Sequence, residues 1–263
     1  MKFYADTVGM PVPSEGSVAG SAFTSGDSTY DPRRLVDGQI GSSTSFNAGS
    51  VLITSNGNTF ITSAGKIFET ADTSSDAAVR FTFSSAATID FVAFYVTQVT
   101  GTPTATIYAS NTSTYSSIDS FSFTSTGWQI REMSEASYTN YVIQFSGSFT
   151  LDISEMIIGQ KFEPTNNPEM TRVYGTDDNI VVYEGYDGTE YALKRGNSAI
   201  TRVFNWNAVG TSDLTNFERI RDNSHHKKFI YNDDSINYHV YLDQIAITEV
   251  ANGLSSVNMG FSE

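Results

Sequence analysis

The chain has no cysteine, six prolines and two tryptophans among 263 residues. Without thiols there is no disulfide framework and no thiolate-bound zinc or iron–sulfur site. The compartment stays open, because a cysteine-free protein is stable in either redox environment. Charged residues are few, 17%, and unbalanced, with a net charge of −14. Nucleic-acid affinity needs a cationic face that releases counterions, so no nucleic-acid partner is expected. No apolar run approaches the ~20 residues of a membrane span, so no membrane insertion is expected. The opening Met1-Lys2-Phe3-Tyr4-Ala5-Asp6 has no apolar core followed by a cleavage site, so no signal peptide is expected.

What the chain does have is 39% hydrophobic and 13% aromatic residues, enough to bury a core. Ser, Thr, Gly, Val, Ile, Tyr and Phe dominate, and the strong helix formers are sparse. Propensity and turn chemistry together predict an all-β protein. Composition changes near residue 160: residues 1–160 hold 49 Ser and Thr, residues 161–263 only 15. Charge density rises at the same point. Pro164 and Pro168 bracket Asn166-Asn167 there, and neither proline continues a central strand. These features predict a domain over 1–160, a linker over 161–170 and a second domain over 171–263.

Period-two alternation predicts strands at 78–83, 89–96, 104–109, 120–123, 141–145 and 149–159, spaced as in a sandwich. In the second part, strands at 179–184 and 189–194 flank Asp187-Gly188, a strong hairpin signal. A strand follows at 200–206. Leu214, Phe217 and Ile220 then recur every three residues after Ser212, a residue suited to capping. This predicts one short helix at about 213–221. Strands at 229–231, 238–242, 245–249 and 257–261 complete a second β-sandwich.

No nucleotide loop, nucleophile elbow or metalloprotease helix is present. His225 and His226 read as a solvated loop, and Asp177-Asp178 and Asp233-Asp234 as turn chemistry. Glu132 with Glu135 is a further carboxylate pair, but sequence pairs do not show two carboxylates facing across a sugar, so no enzyme is expected. Asp37-Gly38 is a tight turn, followed closely by the oxygens of Ser42 and Thr44. The spacing fits a bare turn, and its oxygen density also fits Ca²⁺, which takes six to eight oxygen ligands. Among the aromatics, Trp128 and Trp206 read as core residues. Tyr138 is a further stacking candidate. Tyr115 and Tyr186 lie in loop-like contexts and are the candidates for stacking on a sugar ring.

The stretch Leu35-Val36-Asp37-Gly38, with Ser43-Thr44-Ser45-Phe46 after it, resembles the opening of discoidin-type, galactose-binding-like jelly rolls. Ile153-Ser154-Glu155-Met156-Ile157-Ile158 resembles their last strand. The resemblance spans about residues 20–160. It implies a jelly-roll sandwich and a structural Ca²⁺ held by Asp37 and Glu155, with Thr44 or Ser42 beside them. Residues 170–263, with the strand carrying Trp206, a short helix and a Phe-Ile-Tyr strand, are similar to distal-tail and tail-tip proteins of long-tailed bacteriophages. That resemblance implies a virion structural protein, assembled as a homo-oligomeric ring with other tail proteins and contacting host-surface glycans. The alternative is a stand-alone carbohydrate-binding module.

Overall fold

The computed structural model describes residues 1–19, 22–25, 35–36, 44–47, 51–53, 59–61, 77–146, 149–168, 173–177, 180–184, 190–194, 199–224, 228–233, 236–251 and 253–262. The fold is all-β with one short helix. It divides into two compact units, Tyr4–Lys161 and a second formed by Met1–Phe3 with Phe162–Glu263. The chain opens with β1 (Lys2–Tyr4).

The first unit then contains β2 (Ser14–Ala19), β3 (Ala22–Ser25), β4 (Thr44–Asn47), β5 (Val51–Ile53), β6 (Thr59–Ile61), β7 (Ala77–Gly101), β8 (Thr104–Ser110), β9 (Ser116–Ser122), β10 (Gly127–Ser146) and β11 (Phe149–Gly159). Its main sheet runs β3-β2-β7-β10-β8-β9, with β11 pairing β7 and β4; β5 and β6 form a separate hairpin. The strands expected at 78–83 and 89–96 are one strand, β7, paired along nearly its whole length with β10. That pairing forces two layers. Phe145 lies opposite Ala77, 17 residues from Phe94 along β7, roughly 55 Å if β7 ran straight. Yet the Phe94 and Phe145 ring centroids are 6.3 Å apart. The long strands therefore bend at their register shifts and face each other across one core, which includes Phe81, Phe94, Ile107, Phe123, Phe145, Leu151 and Met156.

Breaks in sequence alternation become bulges. On β11 the core residues are Leu151 and Ile153, then Met156 and Ile158, with Ser154-Glu155 between. On β7 they include Phe94 and Val96, then Val99, with Thr97-Gln98 between. The ladder absorbs each polar pair with one extra residue, Ser154 on one strand and Thr97 on the other, and the register recovers.

The second unit contains β12 (Val173–Asp177), β13 (Ile180–Glu184), β14 (Glu190–Lys194), β15 (Ala199–Gly210), α1 (Thr211–Ser224), β16 (Lys228–Asp233), β17 (Ile236–Ala251) and β18 (Leu254–Ser262). Its six-stranded sheet runs β1-β16-β17-β18-β15-β12. β13 and β14 pair as the expected hairpin, Tyr183 opposite Tyr191. The strands expected at 238–242 and 245–249 are one strand, β17, with a register shift after Leu242. Helix α1 covers more than the expected 213–221, and Phe217 and Ile220 face inward.

Sequence reasoning assigns the first residues to the N-terminal domain, but the structure places Met1–Phe3 in the other unit. The reason is apolar. The Phe3 ring is fully buried, with ring centroids of Phe162, Trp206, Phe217, Phe229, Tyr231 and Phe261 all 6.0–6.4 Å away. The expected linker is also packed. Phe162 exchanges two backbone hydrogen bonds with Phe3 (2.7 and 2.9 Å). Thr165 donates its N–H to Asp213 Oδ2 (2.8 Å), and Trp206 Nε1 donates to the Asn166 carbonyl (3.1 Å).

Candidate functional site

Two irregularities shape one region of the first unit. On β9, Asp119 pairs with Ile107 and Ser117 with Tyr108, so Ile118 is an extra, bulged residue. On β10, Glu132 pairs with Phe91 and Ala136 with Ile89, so residues 133–135 arch out opposite the single residue Asp90. Bulges re-aim side chains and cluster next to functional sites. Two concavities open here. One, of about 520 Å³, is lined by Asn111, Ile118, Ser134, Glu135, Ala136, Ser137 and Tyr138. The other, of about 420 Å³, is lined by Ile118, Asp119, Arg131, Glu132, Met133, Ser134 and Lys161. They share Ile118 and Ser134 in their linings and so lie side by side, and together they are termed the β9–β10 cleft. Each volume lies in the ~300–1,000 Å³ range of small-ligand sites.

The walls of the cleft are fixed from behind. Tyr138 is half-buried against the core, and its ring meets Tyr141 edge-on, with centroids 6.1 Å apart. The Tyr138 N–H donates to the Tyr141 hydroxyl (3.0 Å). That hydroxyl lies 2.6 Å from the Ala87 carbonyl and 2.7 Å from that of Ala136, and donates its one proton between them. Burial pushes the Tyr141 hydroxyl up to about 12. Thr139 N–H donates to Asn111 Oδ1 (2.8 Å), so the Asn111 amide presents its Nδ2 donors elsewhere. Ser137 Oγ accepts from Thr88 Oγ1 (3.2 Å).

Charges in the second concavity are held in pairs. Arg131 grips Asp119 through Nε–Oδ2 (2.7 Å) and Nη2–Oδ1 (2.9 Å), which lowers the Asp119 carboxyl below its ordinary value. Glu132 Oε1 accepts from the Tyr4 hydroxyl (2.7 Å) and Oε2 from Lys161 Nζ (2.6 Å). Behind them Asp90 accepts from the Lys161 N–H (2.7 Å); desolvation raises its carboxyl, which the Lys161 hydrogen bond opposes. Both oxygens of Asp119 and of Glu132 are therefore engaged. Glu135 takes part in no ion pair among the described residues. The lining carries three carboxylates and two cations.

The residues singled out from sequence fall differently. Tyr115 was expected in an exposed loop, but it is only 6% exposed and packs on Ala78 and Val142, so its ring face is covered. The cause is Ser110. Its buried hydroxyl donates to the Thr114 carbonyl (2.5 Å) and accepts from the Thr112 N–H (2.9 Å), winding the loop inward and carrying Tyr115 with it. Asp37, Ser42, Tyr186, His225 and His226 lie outside the described residues. Thr44 lies on β4 with its backbone opposite Ile153, two positions before Glu155. Glu155 is buried (3% exposed) beside the Ser154 bulge. Among the described residues no three His, Cys, Asp or Glu side chains gather as a metal site. Trp206 is a core residue, and Trp128 is half-buried, edge-on to Tyr95 with centroids 5.3 Å apart.

No protein-family model matches the chain, and no curated protein matches it. Similar solved structures include the family 32 carbohydrate-binding module of Clostridium perfringens NanJ in complex with galactose, at 12% identity and a TM-score of 0.38, over 62% of this chain and 100% of that one. A chitosan-binding module from a Paenibacillus sp. IK-5 chitosanase/glucanase is similar at 10% identity and TM-score 0.37, over 59% of this chain and 97% of that one. SpGH29 is similar at 10% identity and TM-score 0.39, over 60% of this chain, which spans 28% of SpGH29.

Proposed function

We propose that the unit Tyr4–Lys161 is a carbohydrate-binding module whose ligand occupies the β9–β10 cleft. The observation that carries this reading is the pair of bulges, which open a cleft lined by hydroxyl, amide and carboxylate groups beside one half-buried tyrosine. Sugars present hydroxyls all around an apolar ring face, and such a lining answers both. Acceptors at Glu135 and donors at Asn111 suit vicinal hydroxyls. The excess of carboxylates favours neutral or amine-bearing glycans over uronic acids. With the carboxylates of Asp119 and Glu132 already paired, the arrangement binds and does not cleave.

The test is a glycan array probed with the full chain displayed multivalently, scored again after Tyr138→Ala. Neutral or amino-sugar glycans should bind, and the substitution should remove the signal. Absence of any glycan signal, or signal that survives Tyr138→Ala undiminished, contradicts the reading.

A structural Ca²⁺ at Asp37, Thr44 and Glu155 belongs to the same proposal. The β4–β11 register, which sets Thr44 two positions from Glu155, supports it. Excess Ca²⁺ should raise the thermal midpoint over EGTA, and Asp37→Ala should abolish the difference. An equal midpoint in both conditions removes the ion. A place in a bacteriophage tail is the second reading. It rests on the resemblance of residues 170–263 alone, and immunogold labelling of virions tests it: unlabelled virions contradict it.

A further inference from the structure

The chain enters the first unit at Tyr4 and leaves it at Lys161. Both side chains end on one carboxylate of the cleft. The Tyr4 hydroxyl donates to Glu132 Oε1 (2.7 Å) and Lys161 Nζ to Glu132 Oε2 (2.6 Å). The two passages are fastened further along as well. Residues 4–7 are all buried, and the Tyr4 ring meets Phe91 edge-on, with centroids 5.2 Å apart. The Lys161 N–H donates to Asp90 (2.7 Å). Thr7 Oγ1 accepts from the Gln160 N–H (2.9 Å) and donates to the Gln160 carbonyl (3.2 Å). A Cβ at Gly159 would stand 2.8 Å from the Ala5 carbonyl oxygen, so the two backbones approach too closely to admit a side chain there. Residues 4–7 thus form a strap along residues 159–161, and Glu132 clasps the two together. Glu132 is also the last paired residue of β10 before the 133–135 arch. Glu132 and Lys161 line the second concavity; Tyr4 lines neither.

We propose that this strap regulates the cleft: the second concavity has its Glu132–Lys161 wall only while the strap is fastened, so a sugar bound there and the Tyr4 hydrogen bond stabilise each other. The proposal rests on the cleft reading above and adds Tyr4 as a positioning residue that acts through Glu132. A carboxylate gripped at both oxygens presents one arrangement to a ligand. Without the Tyr4 hydroxyl, Oε1 loses that anchor and Glu132 swings with Lys161 away from the wall. Apparent affinity then falls with the fraction of molecules still fastened. Linkage makes the coupling reciprocal, so a bound sugar tightens the strap.

The experiment is isothermal titration of the full chain, and of its Tyr4→Phe variant, with the oligosaccharide that gives the strongest array signal. Tyr4→Phe keeps the ring on Phe91 and loses only the hydroxyl. It should weaken binding about fivefold or more, as coupled sites do. Gly159→Ala, which pushes the strap off β11 without touching the cleft, should also weaken it. Hydrogen exchange reads the converse. Saturating oligosaccharide should slow exchange at the amides of residues 4–7 and 160–161 in the wild type, and Tyr4→Phe should speed it in the absence of sugar. A purely structural Tyr4 hydroxyl predicts faster exchange with unchanged affinity, and that result overturns the proposal. So does strap exchange that does not respond to the sugar. A wild type that binds no oligosaccharide overturns the proposal together with the cleft reading, whereas full affinity in a folded Tyr4→Phe overturns the proposal alone.

Discussion

Tyr141 shows how one side chain holds the cleft together. Its hydroxyl ties the carbonyls of Ala87 and Ala136 and the N–H of Tyr138 at the place where β7 and β10 lose register. Removing it in Tyr141→Phe leaves those groups short of a partner, at a cost of about 1–3 kcal/mol. The pH signature follows from the raised hydroxyl, from 10.0 to about 12. The folded state holds the proton more tightly than the unfolded chain. Its contribution is therefore complete below pH 10 and falls away as the pH rises through about 12. Thermal midpoints measured from pH 9 upward should decline in the wild type, and less steeply in Tyr141→Phe. Parallel declines would contradict this role. Sequence alone placed Tyr141 on a strand but gave no sign that Tyr115 is buried. Tyr115 follows a polar run and looks exposed; only the loop wound by the Ser110 hydroxyl turns it inward.

At the scale of elements, alternation made most strands readable, because one buried face imposes period two. Residues 127–140 were missed because Arg131, Glu132, Ser134 and Glu135 break the alternation: Arg131 and Glu132 stay paired in the ladder, Ser134 and Glu135 arch out of it, and all four line the cleft. The feature that hid the strand is thus the feature that makes the site. Deleting Ser134 and Glu135 leaves Met133 alone to face Asp90, restoring one-to-one pairing between Glu132 and Ala136. The variant should unfold cooperatively near the wild-type midpoint and lose glycan binding, as followed by calorimetry. Retained binding would separate the arch from the site. The same argument applies to β7 and β11: their polar pairs, Thr97-Gln98 and Ser154-Glu155, are visible in the sequence as interruptions and appear in the structure as opposed bulges.

At the scale of the whole molecule, the chain does not divide at one point. The composition shift near residue 160 was visible, and the return of the first residues to the later unit was not, because a three-residue strand carries no periodicity. What commits Met1–Phe3 is the Phe3 ring among six aromatic neighbours. Phe3→Ala should cost about 3–5 kcal/mol, as aromatic truncations in cores do. In a two-transition melt the loss should fall on the unit that contains α1. A shift confined to the other transition would contradict the assignment of these residues.

The central claim is that the β9–β10 cleft holds a sugar, and isothermal titration of an array-positive glycan tests it most directly. Tyr138→Ala should weaken binding at least tenfold, about 1.4 kcal/mol. Tyr115→Phe, at the covered ring, should leave the isotherm unchanged. Full affinity in Tyr138→Ala, in a protein that melts as the wild type does, would place the ligand elsewhere and contradict the account.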